Sequence, residues 1–205
     1  MDFRDPIAAV NPGVQGRVLT ALARTETELT MRTVAELAGV SANQATVVMN
    51  RLVHLGLVER RDVGSAGLVR LVRDNEAARA VLALVDLQHR VLARLAGEAR
   101  KIRPAPACLV VFGSFARADA HENSDIDVLA VPPSEAEADD SPWTAALGRW
   151  TDQAARIAGN RVSLLEITRN ELPGLIRRER EPWRTIVEEG VVLIGDFPAE
   201  IRAAS

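Results

Sequence analysis

The stretch Val111–Val131, VFGSFARADAHENSDIDVLAV, constrains the fold more than any other part of this 205-residue chain. An apolar run ends at Gly113 and Ser114, a polar loop follows, and Asp125 and Asp127 then alternate with apolar residues in a second apolar run. Alternate side chains along a strand point the same way, so this spacing places both carboxylates on one face of a sheet. Two acids side by side repel each other and resist burial. We therefore expect them to share a divalent cation that also holds phosphate groups.

Small residues at the end of the first apolar run predict a phosphate-binding turn. Gly113 and Ser114 lead into the helical pattern FARA, where backbone N–H groups and a hydroxyl can approach a phosphate. The expected cation is Mg²⁺, because hard oxygen ligands favour it and the sequence has no His/Cys cluster for softer metals. The single cysteine, Cys108, excludes an internal disulfide and lies in the apolar run CLVVF, which predicts a small buried residue.

The complete pattern consists of Phe112-Gly113-Ser114, ten further residues, and then Asp125-Ile126-Asp127-Val128. It resembles the signature of the nucleotidyltransferase superfamily, which includes DNA polymerase β, kanamycin nucleotidyltransferase and the small nucleotidyltransferases of toxin–antitoxin pairs. The resemblance covers about residues 106–196 and implies a domain built on a mixed sheet with helices. One difference is Ala118, where family members often have glycine.

The resemblance also implies an activity and a set of site residues. Asp125 and Asp127 would bind one or two Mg²⁺ ions. The nucleotide would be contacted by four further residues: Gly113, Ser114, Arg117 and Ser124. For Arg117, a surface arginine without a ligand is the alternative. The reaction would move a nucleoside monophosphate from a triphosphate such as ATP to an acceptor hydroxyl, on a small molecule or on a partner protein. Positioning and electrostatic stabilisation suffice for such a transfer.

The family carries a third carboxylate on a neighbouring strand, and the segment NRVSLLEIT offers two alternatives for its position. Glu166, between Leu165 and Ile167, has the expected apolar setting and is our predicted third catalytic and metal-binding acid. Ser163 can equally occupy the position, and the two residues fall on opposite faces of a regular strand. If Ser163 is the equivalent, the protein would bind nucleotide without efficient transfer.

The first part of the chain has the element order of a winged helix. The segment GVQGRVLTALART has the apolar spacing of one helix, and MRTVAELAGV predicts a second with Val34, Leu37 and Ala38 inward. Ser41 then caps a third helix, and two apolar-rich strands follow around GSAG. The stretch SANQATVVMNRLVHLGLVERR resembles the recognition helix and wing of bacterial regulators of the multiple-antibiotic-resistance and arsenic-responsive types. This resemblance covers about residues 14–73.

The resemblance implies that the third helix binds duplex DNA. Its inward residues would be Ala45, Met49, Leu52 and Leu55, and its groove-facing residues Asn43, Thr46, Val47 and Asn50. Phosphate contacts would come from four arginines: Arg51, Arg60, Arg61 and Arg70. Winged helices also serve as dimerisation or protein-docking modules, so a protein partner is the alternative.

Charge divides the chain into two parts of different character. Residues 1–103 hold 15 Lys+Arg and 11 Asp+Glu, net +4, whereas residues 104–205 hold 10 and 17, net −7. The first part permits a polyanionic partner, and the acidic second part needs cations on its carboxylates to approach phosphates. No apolar run reaches the roughly 20 residues that span a bilayer. The N-terminus also lacks the basic segment of a signal peptide, which predicts a cytoplasmic protein.

These features predict a two-domain α+β or α/β protein. We assign residues 1–73 to a winged helix-turn-helix DNA-binding domain, 74–103 to a linker helix and 104–205 to a nucleotidyltransferase domain. The linker is predicted to be one long helix, ended by the prolines of RPAPA, with apolar positions that can pair in a homodimer. Two functions are open. One is a metal-dependent nucleotidyltransferase fused to a DNA-binding winged helix. The other is a transcriptional regulator or antitoxin-like protein that binds nucleotide or a partner without efficient catalysis.

Overall fold

The computed structural model describes residues 1–63, 66–133, 141–176 and 180–196. The chain forms two compact units. The first comprises Asp2 and Arg4–Leu87, and the second comprises Met1, Phe3 and the chain from Gln88 onward. None of the helices in these described ranges combines the length and the apolar character needed to cross a lipid bilayer.

The first unit is a helix-turn-helix followed by a β-hairpin. Its helices are α1 (Pro6–Val10), α2 (Val14–Ala23), α3 (Met31–Ala38), α4 (Ala42–His54) and α5 (Glu76–Val85). Its strands, β1 (Leu29–Thr30), β2 (Val58–Val63) and β3 (Ala66–Leu71), form an antiparallel sheet in the order β1-β3-β2. The predicted hairpin is therefore present, and its turn at residues 64–65 lies outside the described part of the chain.

The turn between α3 and α4 is tight because each helix end has its own capping residue. Gly39 follows α3 in the left-handed conformation with φ 59°, which glycine adopts without steric penalty. Ser41 begins α4 with a capping box. Its hydroxyl accepts a hydrogen bond from the Gln44 N–H, and the Gln44 side chain accepts one from the Ser41 N–H. These caps fix the start of α4, which is the third helix predicted from the sequence.

The buried face of α4 confirms three of its four predicted inward residues. Ala45, Met49 and Leu52 are each at most 1% exposed. Leu55 is 53% exposed, so its predicted inward position is wrong. The reason is local, because α4 ends at His54 and the chain then turns through Gly56, whose φ is 72°.

The second helix of the motif differs from its prediction at Leu37. This side chain is 60% exposed, although its spacing placed it inward. The buried residues of α3 are instead Val34, Ala35 and Ala38. Viewed down the helix axis, Ala35 lies on one side of Val34 and Leu37 lies on the other. Because the Ala35 side faces the core, Leu37 faces solvent.

The predicted single linker helix is wrong, because two helices occupy that range. The first, α5, ends at Val85, and α6 (Leu87–Ala99) begins after Asp86. Asp86 has φ −92° and ψ 15°, and its N–H bonds to the carbonyl of Leu84. Aspartate competes for nearby backbone groups and is a poor interior residue of a helix, which explains a break at this position. The chain passes from the first unit to the second directly after it, between Leu87 and Gln88.

The second unit contains a four-stranded mixed sheet. Its further elements are β4 (Cys108–Phe112), α7 (Gly113–Ala116), β5 (Ile126–Val131), α8 (Ser141–Ala158), β6 (Val162–Glu166), α9 (Leu172–Ile176), α10 (Trp183–Glu189) and β7 (Val191–Gly195). The strand order is β6-β5-β4-β7, with β5 and β6 parallel and the other pairs antiparallel. This is the mixed sheet with helices that the sequence predicts.

The two faces of this sheet pack against different helices. On one face Phe112 and Leu129 pack with residues of α9 and α10, among them Leu172 and Ile186. Cys108 lies on the same face, and burial raises the pKa of its thiol to about 12, which suits the predicted small core residue. The other face meets α8, whose Trp143 and Trp150 are at most 4% exposed and form part of the core.

Candidate functional site

Gly113 joins β4 to α7 in a conformation that favours glycine. Its φ is 72°, in the left-handed region. A Cβ atom at this position would lie 2.8 Å from Oδ2 of Asp127, closer than a real Cβ contact allows. Phe112, the residue before the turn, pairs with Asp127 across the two strands. The glycine predicted from the motif is therefore required by its backbone conformation and by the nearby carboxylate.

The two aspartates lie at the start of β5, separated by one residue. Asp127 is half-buried, and burial together with the neighbouring charge of Asp125 raises its pKa. Asp125 precedes the strand, and its Oδ1 atom lies 3.3 Å from Nε of Arg161. Asp127 has no ion pair among the described residues. A bound cation would relieve the repulsion between these acids.

Two adjacent carboxylates fit one Mg²⁺ ion. Mg²⁺ commonly binds through one or two carboxylates and takes its other ligands from water and substrate phosphates. Within the described residues, no group of three or more His, Cys, Asp or Glu side chains is placed to hold a metal. The donor set at Asp125 and Asp127 is thus suited to a cation shared with a phosphate-bearing ligand.

The register of β5 and β6 separates the two predicted positions of the third acid. Asp127 pairs with Ser163, whereas Glu166 pairs with Ala130. Paired residues of neighbouring strands share a face, so Ser163 lies on the side of Asp127 and Glu166 lies on the other side. The structure does not bring Glu166 to the aspartates, and this corrects its assignment as the third catalytic and metal-binding residue. A hydroxyl stands where that assignment requires a carboxylate.

Glu166 instead serves as an acceptor for a buried indole. Nε1 of Trp143 donates a hydrogen bond of 2.8 Å to Oε1 of Glu166. Trp143 is fully buried, so its N–H group has no access to water. The contact satisfies a polar group in the layer between α8 and the sheet.

Replacement of Glu166 is therefore expected to change stability. Glu166→Leu leaves the Trp143 N–H without its acceptor and should lower the free energy of unfolding by about 1–3 kcal/mol. Glu166→Gln keeps an acceptor oxygen and is the matched control, with a smaller loss. Urea denaturation of both variants measures the difference. A leucine variant as stable as the glutamine variant would contradict this role.

Arg117, predicted to contact the triphosphate, is exposed at the end of α7. Its Nη1 atom lies 2.7 Å from Oε2 of Glu189 in α10, and this hydrogen bond raises the pKa of Arg117. A phosphate group would have to compete with Glu189 for the guanidinium. The side chain is therefore held beside the turn by a surface ion pair.

Ser124, also predicted to contact the nucleotide, closes the turn before the aspartates. Its hydroxyl accepts a hydrogen bond of 3.0 Å from the His121 N–H. The buried side chain of Asn160 donates to the carbonyls of Ser124 and His121, at 2.9 and 3.1 Å. Sequence reasoning missed Asn160, which supports the turn from a distant part of the chain.

Gln88 is a second supporting residue that sequence reasoning missed. Its Nε2 atom donates to the carbonyls of Phe115 and Ala116, at 2.6 and 3.1 Å, and so caps the C-terminus of α7. The available signal was a polar residue three and four positions before buried Val91 and Leu92. Gln88 thereby holds the short helix that begins at Gly113.

The backbone at Ala118 has a left-handed conformation, which favours glycine at this position. Its φ is 61°, the one positive value among the non-glycine residues that the structure describes. Ala118→Gly is expected to raise the free energy of unfolding by about 0.5–1 kcal/mol, because it relieves left-handed strain. Ala116→Gly, within α7, is the matched control and should lower stability by a similar amount. If both glycines destabilise the protein in urea denaturation, this account of Ala118 is wrong.

The predicted groove-facing residues of α4 are exposed. They are Asn43, Thr46, Val47 and Asn50. Val47 is 71% exposed, the highest value among the exposed large hydrophobic residues in the described ranges. Arg51, at the end of this face, is exposed and makes no ion pair with a described residue. The polar face predicted for the recognition helix is therefore present, with one apolar side chain in its middle.

The three predicted wing arginines are each paired with a carboxylate. The pairs are Arg60 with Asp62, Arg61 with Glu28, and Arg70 with Glu59. The Arg61 pair is bidentate, with N–O distances of 3.2 and 2.5 Å. A DNA phosphate would have to compete with these carboxylates for the guanidinium groups.

The first unit as a whole carries no excess of basic side chains. Asp2 and residues 4–87 together contain ten arginines, no lysine and ten acidic residues. The +4 excess of residues 1–103 comes from residues 88–103, which hold five basic residues and one acid and lie in the second unit. Nonspecific attraction of this unit to a DNA backbone is therefore weaker than the charge of residues 1–103 indicates.

Two family models match this chain, one in each region. Residues 92–188 match the family model of the nucleotidyltransferase domain, and residues 11–67 match that of the MarR family. No curated protein matches the chain. A crystal structure of a mutant toxin–antitoxin MntA-HpeT is 18% identical, with a TM-score of 0.38, over 55% of this chain and 78% of that chain. A toxin–antitoxin structure with AMP-PNP is 19% identical, with a TM-score of 0.37 and the same coverage. The chain thus carries a match to the MarR family followed by a match to the nucleotidyltransferase domain, in the order that its sequence predicts.

Proposed function

We propose that this protein is a DNA-binding regulator whose nucleotidyltransferase domain binds a nucleoside triphosphate, such as ATP, with one Mg²⁺ ion and without efficient transfer. The observation that carries this proposal is the pairing of Asp127 with Ser163. It supplies the site with two carboxylates and a hydroxyl in place of three carboxylates. The winged helix would deliver the output by binding duplex DNA.

Nucleotide binding is supported by the geometry around Gly113. The bare backbone of this residue lies next to the Asp127 carboxylate, and Ser114 follows at the start of α7. A cation held by Asp125 and Asp127 would offset the charge of phosphate groups that approach this turn. Arg117 would add a positive charge once a phosphate displaces Glu189.

Transfer is expected to be inefficient because Ser163 cannot replace a third carboxylate. A third carboxylate completes a second metal position or accepts the proton of the attacking hydroxyl. A serine hydroxyl is a poor base and a weak ligand for Mg²⁺ compared with a carboxylate. The residues that remain at the site bind and orient a triphosphate but leave the acceptor hydroxyl unactivated.

Nucleotidyl transfer is the second candidate function. Both aspartates and Gly113 are retained, and positioning with electrostatic stabilisation provides most of the catalysis in phosphoryl transfer. The acceptor would be a hydroxyl of a small molecule or of a partner protein, the latter as in the toxin–antitoxin hypothesis. The homodimer and the cytoplasmic location stay predictions from the sequence.

Calorimetry with ATP and Mg²⁺ tests the proposal. The wild-type protein should bind, and Asp125→Asn and Asp127→Asn should each abolish detectable binding, because each removes a ligand the other cannot replace. Asp119→Asn is the matched control, since Asp119 is an exposed acid of the same loop outside the pair. Unchanged binding in both pair variants would end the metal-site proposal. Efficient release of pyrophosphate by the wild type would favour the second candidate.

The raised pKa of Asp127 also predicts how stability depends on pH without a cation. Because the folded-state pKa lies above the unfolded value, the folded protein binds the proton more tightly. Stability should therefore fall as the pH rises from the ordinary carboxyl range through the raised pKa. Asp127→Asn removes this fall and should be more stable than wild type at neutral pH in a chelator. Thermal melts of both proteins against pH measure it, and parallel curves would contradict the prediction.

A further inference from the structure

We infer that the exposed face of α4 reads A·T base pairs, with Val47 against the 5-methyl group of a thymine and Asn43 and Asn50 bonded to adenines. This inference rests on the proposed DNA binding of the winged helix. It adds the class of base pair that the helix recognises.

The three side chains form one compact surface. At 3.6 residues per turn, Asn43, Val47 and Asn50 fall within about 60° of arc on α4. All three are exposed, whereas Ala45 and Met49 on the opposite side are buried. The face that can enter a groove is thus defined by the core packing of the same helix.

The centre of this face lacks the side chains that usually contact guanine, and Arg51 at its end is the residue predicted to contact phosphate. Specific reading of guanine in the major groove most often uses Arg or Lys against O6 and N7. From residue 33 to residue 50 the sequence contains neither. Asparagine matches the N6 and N7 atoms of adenine, and an apolar side chain matches the thymine methyl. The side chains present therefore correspond to the two bases of an A·T pair.

Two neighbouring polar residues are already engaged within α4. The Gln44 side chain accepts from the Ser41 N–H in the capping box, and the Thr46 hydroxyl donates to the Ala42 carbonyl at 2.8 Å. Val47 and the two asparagines, at the centre of the face, make no such contact within the helix. The described structure gives them no hydrogen bond or ion pair.

Base contacts must also supply a large share of any affinity. The first unit has equal numbers of basic and acidic side chains, and its wing arginines are paired with carboxylates. The sequence-independent phosphate term is correspondingly small. A helix that binds DNA under these conditions depends on what its exposed face offers to base edges, and this favours a specific contact for Val47.

A uracil scan tests the inference on the full-length protein. Duplexes selected from a random pool are expected to carry A·T pairs under α4. Thymines in the selected site are then replaced one at a time by uracil, which lacks only the 5-methyl group. One replacement should weaken wild-type binding about fourfold, the equivalent of one buried methyl group. Val47→Ala should weaken binding to the thymine duplex by a similar factor and should no longer distinguish uracil from thymine at that position.

Val10→Ala is the matched control, because Val10 is 56% exposed but lies outside the helix-turn-helix. It should keep the uracil sensitivity of the wild type. Specific duplex binding without any sensitive thymine, or with G·C pairs under α4, would overturn the inference and leave DNA binding intact. Absence of duplex binding at all salt concentrations would overturn both. In that case, loss of self-association in Val47→Ala would identify a protein-docking surface.

Discussion

Ser163→Asp is expected to increase nucleotidyl transfer by about 10²- to 10⁴-fold, the contribution of a positioned general base. The substitution places a third carboxylate on the face of Asp127, where the register of β5 and β6 puts residue 163. Ser163 is exposed, so the added charge need not be buried. The variant should also bind Mg²⁺ more tightly, because it offers a further carboxylate ligand.

Pyrophosphate release from ATP measures this gain, since it reports transfer to any acceptor, water included. Ser163→Asn is the matched control, with the shape of aspartate but no charge or base, and it should stay at the wild-type level. Glu166→Asp keeps a carboxylate on the opposite face and should also leave the rate unchanged. Equal rates in wild type, Ser163→Asp and Ser163→Asn would show that the absent carboxylate does not limit transfer.

Local patterns in the sequence were sufficient for the parts of the site that lie close together in the chain. The alternation of Asp125 and Asp127 with apolar residues depends only on the period of a strand. Gly113 could be predicted because a turn at a strand end has few residue choices. The capping box of α4 was recognisable at its serine for the same reason, since its contacts span three residues.

The third position of the site could not be decided from the sequence, because it depends on how two strands align. A one-residue shift of β6 against β5 would move Glu166 to the face of Asp127 and Ser163 away from it. The side chains in NRVSLLEIT are compatible with either alignment. The hydrogen bond between Trp143 and Glu166 belongs to the observed alignment and joins residues 23 positions apart.

Long-range partners account for the other differences. Asn160 and Gln88 support the turns around the site through hydrogen bonds to residues 27 to 39 positions away, which no local motif marks. The break between the two helices at Asp86 could not be predicted from the spacing of apolar residues, because that spacing continues on both sides of Asp86. What ends α5 there is the backbone preference of one aspartate.

Removal of the carboxylates that hold the wing arginines is expected to strengthen binding to duplex DNA. Glu28→Gln with Glu59→Gln frees Arg61 and Arg70 from their ion pairs without changing the size of either partner. Two added phosphate contacts should steepen the log–log salt slope by up to about 1.8, which is 0.9 for each contact. Between 200 and 50 mM salt, a slope change of this size corresponds to roughly a tenfold difference in affinity.

The loss of two negative charges would by itself strengthen DNA binding, so the control variant must have the same change in net charge. Glu26→Gln with Glu76→Gln raises the charge of the first unit equally but leaves both wing pairs intact, since the described structure pairs Arg61 with Glu28, Arg70 with Glu59 and Glu76 with Arg79. Titration of one labelled duplex against each double variant at several salt concentrations separates the two effects. The control should show the wild-type slope with at most a small gain in affinity, because exposed charges are screened over about 10 Å at 0.1 M salt. Equal slopes for both double variants would mean that Arg61 and Arg70 do not reach the DNA backbone. The base contacts of α4 would then have to hold the duplex with Arg51 and Arg60 as the remaining phosphate ligands among those predicted.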